Sequence, residues 1–77
     1  MDTVEWYFRI RRRDIAYMKF ILESYEGLGV LRTIDPREAI VEVMVPPGLK
    51  KDMEMVLEGL GSEIPMERIQ YPLKASP

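Results

Sequence analysis

Residues 4–27 read VEWYFRIRRRDIAYMKFILESYEG, and the hydrophobic period changes within them. From Thr3 to Arg11 the chain alternates. Val4, Trp6, Phe8 and Ile10 fall on one side; Thr3, Glu5, Tyr7, Arg9 and Arg11 fall on the other. Period two predicts a half-buried strand. Ile15, Met18, Leu22 and Tyr25 then recur at helical spacing, with Tyr17 and Ile21 widening the stripe. Asp14 suits the helix N-cap, because its carboxylate can accept from the open amides of the first turn. Gly27 suits a left-handed C′ position, with Leu28 making the hydrophobic contact of a Schellman motif.

A second strand is expected over 28–34 and a third over 39–45. Asp35-Pro36-Arg37-Glu38 between them reads as a type I turn. With Pro36 and Arg37 at the tip, Val43 lies opposite Val30 and Val41 lies opposite Arg32. An arginine on the buried side is awkward, so the facing of the second strand stays open. The segment VPPG (45–48) stops the third strand, and Pro47 suits a first helical turn. Leu49, Met53, Val56, Leu57 and Leu60 form the stripe of a second helix, with Gly61 expected at the C′ position beyond its end. Beyond it, Ile69 and Tyr71 alternate with polar neighbours between Pro65 and Pro72, which confines that segment to a sheet edge.

The element order predicts an α+β chain: a ferredoxin-like βαββα(β) sandwich, with an antiparallel sheet and two helices on one of its faces. One domain is expected over residues 1–77. Its core spans 3–61, and 62–77 form an edge strand or an extended tail.

The 77 residues include no cysteine and no histidine. That excludes disulfides, thiolate metal sites and the commonest general base. No cofactor, metal site or catalytic residue is expected. Ser24, Ser62 and Ser76 have no histidine to activate them. Glu54 and Glu58 lie on the polar side of the second helix, and neither EGLG nor LEGLG has P-loop spacing. The net charge of −2 disfavours nucleic acid as a partner. Tyr7 beside Arg9 supplies only a fragment of the aromatic platform an RNA binder needs. No apolar run reaches membrane-spanning length, the start is not a signal peptide, and a cytoplasmic location is the simplest expectation.

The run IAYMKFILESYEGLGVLRTIDP (15–36), followed by a valine-rich strand, VPPG and an amphipathic helix, resembles a small bacterial family known as a domain of unknown function. The resemblance covers roughly Trp6 to Leu60. Its most specific parts are KFILESYEG and TIDP, and it brings no functional residues with it. The element order and EGLGVL are also similar to ACT domains, which implies an amino-acid-sensing alternative. The RRRD segment (11–14) lacks the proline and glycine that ACT domains carry in that loop.

Two features invite a functional reading. Arg11, Arg12 and Arg13 are candidates for an anion site at a helix start. The competing reading is a solvated strand-to-helix corner, and the acidic neighbours favour it. Tyr7, Leu31, Ile40 and Met44 would cluster on a bare sheet face, with Phe20 and Met55 lying off the helix stripes. So apolar a surface predicts a protein contact, most simply a homodimer or other homo-oligomer. The expected function is a non-enzymatic interaction or regulatory module. Small-molecule sensing is the alternative, and weak RNA binding comes after it.

Overall fold

The computed structural model describes residues 3–72. Strand β1 (Val4–Ile10) leads through a 3-10 turn (Arg12–Asp14) into α1 (Ile15–Glu23). Strands β2 (Val30–Asp35) and β3 (Ile40–Val45) follow, then α2 (Lys50–Gly61) and β4 (Met66–Ile69). The sheet order is β2-β3-β1-β4, and every neighbouring pair is antiparallel. This is the ferredoxin-like arrangement. β4 pairs with β1 at the edge, as the prolines predict. The part of the expected tail beyond residue 72 lies outside the described residues.

One side of the sheet carries the core. Trp6, Phe8, Ile10, Leu31, Val41, Val43 and Val45 are buried there against Met18, Leu22, Met53, Leu57 and Leu60. This helix face of β1 and β3 is the one the alternation predicts. Arg68 of β4 stacks 4.6 Å from the centre of the Trp6 ring and so covers the end of the core next to the edge strand.

The hairpin register differs from expectation by one residue. Val30 pairs with Met44, Leu31 with Val43, Arg32 with Glu42 and Thr33 with Val41. Near the turn the ladder steps to Asp35 opposite Ile40, so Ile34 is the extra residue of a bulge in β2. The Asp35 Oδ1 accepts from the amides of Arg37 (2.9 Å) and Glu38 (3.1 Å). Ala39 then turns left-handed, with φ 57°. The loop is therefore longer than a two-residue tip, and the longer loop exchanges the faces of β2. Leu31 enters the core, and Val30 and Arg32 move to the opposite, open face. This corrects the placement of Leu31 on an exposed surface.

α1 ends sooner than the glycine pattern predicts. The helix stops at Glu23, where the Ser24 hydroxyl donates to the Ile21 carbonyl at 2.6 Å. Gly27 is left-handed, φ 77°, but it serves the turn closed by the Leu28 amide on the Tyr25 carbonyl at 3.1 Å. At the other end Asp14 occupies the N-cap position without capping. Its carboxylate instead accepts from Arg11 Nε at 2.7 Å.

Gly29 packs directly against β3. A Cβ there would lie 2.5 Å from the Met44 carbonyl oxygen and equally close to the Met53 Cε. The methionine can move; the β3 backbone cannot. Gly29→Ala should therefore cost about 1–3 kcal/mol in urea unfolding. Gly59→Ala is the control. Nothing lies within 4 Å of its added Cβ. It sits inside α2, so the same change should gain about 0.5–1 kcal/mol. Equal effects at the two sites would contradict the packing of Gly29 on β3.

Candidate interaction surface

The open face of the sheet is not the bare apolar platform the sequence predicts. Its centre holds a carboxylate. Glu42 is buried at 5% exposure, and one row of the sheet is built around it. Tyr7 on β1 donates its hydroxyl to Glu42 Oε2 at 2.7 Å. Arg32 on β2 brings Nη2 to 3.0 Å from Oε1. That contact is close but not aligned as a hydrogen bond, so Oε1 is held by charge rather than by a directed donor. The Tyr71 ring packs on Tyr7 with centroids 5.5 Å apart.

Ile40 corrects a second expected contact residue. It is only 2% exposed, because it sits on a central strand between Arg9 on β1 and Asp35 on β2. The Arg9 guanidinium lies 3.9 Å from Glu38 and 3.4 Å from Glu67, so ion pairs span this end of the face. Met44 is half-buried, and Tyr7 is half-buried with its hydroxyl engaged. The two charged rows interrupt the apolar surface on this side, which keeps an exposed Val30 beside the half-buried Met44 at its edge.

The hydrogen bond to Glu42 pushes the Tyr7 hydroxyl up to about 12; burial and the charges of Glu42 and Glu5 add to it, and Arg32 opposes. The folded state thus holds that proton more tightly than the unfolded chain. The associated stability is complete below pH about 10 and is lost as pH rises through about 12. Glu42→Gln should return the Tyr7 titration towards 10, read by ultraviolet absorbance or by tyrosine ring NMR signals. An unchanged titration would contradict the Tyr7–Glu42 bond. Arg32→Ala leaves the buried carboxylate without its cation and should cost about 1–3 kcal/mol in urea unfolding, moderated by the exposure of Arg32.

The arginine run is divided. Arg11 is held by Asp14, and Arg12 Nη2 donates to the Arg37 carbonyl at 3.3 Å. Arg13 is exposed. The structure places these residues at a corner beside the Asp35–Glu38 turn, where two of the three are engaged by the protein itself.

Most of the exposed apolar surface is on the helix side; Val30 on the open sheet face is the exception. Phe20 is 67% exposed and Met55 72%, both off the core stripes as the sequence predicts. Tyr17 and Tyr25 join them at 40% and 48%. Sequence reasoning placed both tyrosines in the core; the early end of α1 takes Tyr25 out of the helix. Between α1 and α2 runs an open groove of about 870 Å³. Ile21, Tyr25 and Leu28 line one wall; Leu49, Met55 and Val56 line the other. The Tyr17 hydroxyl donates to Glu63 across one end. That bond raises the Tyr17 hydroxyl above its ordinary value.

A family profile described as Domain of unknown function (DUF4911) matches residues 8–64. The chain belongs to this family. The DUF4911 match begins within β1 and ends at Ile64, so it includes both groove walls and Glu42, while β4 follows it. No curated protein and no solved structure matches the chain. Among the described residues no cluster of acidic side chains could hold a metal ion, and no helix is long and apolar enough to cross a membrane.

Proposed function

We propose that this DUF4911 domain is a non-enzymatic interaction module that contacts another protein through its helix layer. The carrying observation is the open groove between α1 and α2, with Tyr25 and Met55 exposed on its walls. Large aromatic and methionine side chains are enriched in protein contacts, and methionine adapts to varied partners. The opposite sheet face supports the same reading, because Glu42, Arg32 and Arg9 occupy what would otherwise be an apolar platform.

A second copy is a distinct reading that rests on β2. It is an edge strand whose outer side carries no strand among the described residues, and Val30 there is 58% exposed. Edge-to-edge pairing of two copies would extend the sheet. Light scattering at micromolar concentration reads this directly: a dimer mass that Val30→Lys reduces to the monomer supports pairing at β2. Small-molecule sensing of the ACT kind would instead appear as metabolite-dependent stabilisation in a thermal-shift panel.

The helix-layer reading predicts that a protein retained from the native cell by the wild type is lost by Tyr25→Ser with Met55→Ser. Circular dichroism should show the fold intact, since both side chains are exposed. Equal recovery by the two proteins, or no recovery by either, would contradict it.

A further inference from the structure

From the charges on the groove rim we infer that its occupant is a cationic amphipathic helix. This inference rests on the helix-layer reading and names the chemistry of its partner. Glu26, Asp52 and Glu63 lie along the groove, and no lysine or arginine lines it. Glu63 is engaged by Tyr17. Glu26 and Asp52 form no ion pair among the described residues, and both are exposed. A partner with lysine or arginine beside its apolar anchors meets opposite charge at the rim. A second copy docked by the same surface would set these carboxylates against their own counterparts.

The walls also select the secondary structure of the occupant. One is the side of α2, whose backbone groups are paired within the helix; the other is Ile21 of α1 with the Ser24–Leu28 turn that follows it, where the Leu28 amide is already bonded to the Tyr25 carbonyl. An extended segment would find no strand edge in this groove and would bury most of its amides and carbonyls without partners. A helix satisfies its own backbone and offers one apolar stripe to Ile21, Met55 and Val56. Gly59 assists a close approach: it lines the groove, and the space where a Cβ would stand is empty to 4 Å.

The probe is a 15-residue peptide with leucine along one helical side and lysine along the other. Its control replaces every lysine by glutamate. Binding is followed by amide NMR. The lysine peptide should shift the Gly27 and Gly59 signals and leave Gly61, which lies away from the groove. The glutamate peptide should bind at least about tenfold more weakly, and Glu26→Gln with Asp52→Asn should weaken the lysine peptide by about tenfold. Gly59→Gln should abolish binding by filling the groove without loss of helix stability. Equal affinity for the two peptides, shifts centred on the sheet face, or unchanged binding by the neutralised variant would overturn the inference. If the lysine peptide fails while a cellular protein still depends on Tyr25 and Met55, the charge argument falls and the helix-layer reading stands. If that dependence is also absent, both fall.

Discussion

The register of the β2–β3 hairpin governs which surfaces this protein has. Because side chains alternate along a strand, a slip of one residue exchanges the two faces of β2. The observed pairing sends Leu31 to the core opposite Val43 and sends Arg32 to the open face opposite Glu42. Both consequences matter energetically. Leu31 fills the space beneath the helices, where an arginine would be buried without a partner. Arg32 supplies the cation that a buried Glu42 requires, and Tyr7 supplies the proton donor. The centre of the sheet face becomes a charged, internally bonded surface, and, Val30 at the edge apart, the helix layer is where large apolar side chains meet solvent.

Much of this frame was legible in the chain itself. The alternation Val4, Trp6, Phe8, Ile10 and the run Val41, Val43, Val45 identify the helix face of both central strands, and all but the half-buried Val4 are buried there. The stripe Met53, Leu57 and Leu60 identifies the buried side of α2. Phe20 and Met55 stand out because they break their stripes. Periodicity reads these positions well because each long element commits several residues to one face at once.

What was not legible depends on single residues in loops. Nothing about an alanine announces a left-handed conformation, yet Ala39 adopts φ 57° and Ile34 bulges. Those two local departures decide the fate of Leu31. Gly27 does announce positive φ, but the glycine alone does not distinguish a helix terminus from the turn two residues beyond one. The Ser24 hydroxyl at the Ile21 carbonyl and the Leu28–Tyr25 turn settle that locally, and they expose Tyr25. Ile40 shows the converse problem. Its strand position was read correctly, but its burial comes from neighbours on two other strands, which no local pattern contains. The groove is hidden for the same reason, since its walls are brought together by the sheet beneath them.

The central claim is the hairpin pairing, and cross-strand nuclear Overhauser contacts between backbone protons measure it directly. The account predicts contacts linking Leu31 with Val43 and Arg32 with Glu42, and a break in the pattern at Ile34. Contacts linking Val30 with Val43 and Arg32 with Val41 would contradict it, because that register returns Arg32 to the helix face and leaves Glu42 without its cation.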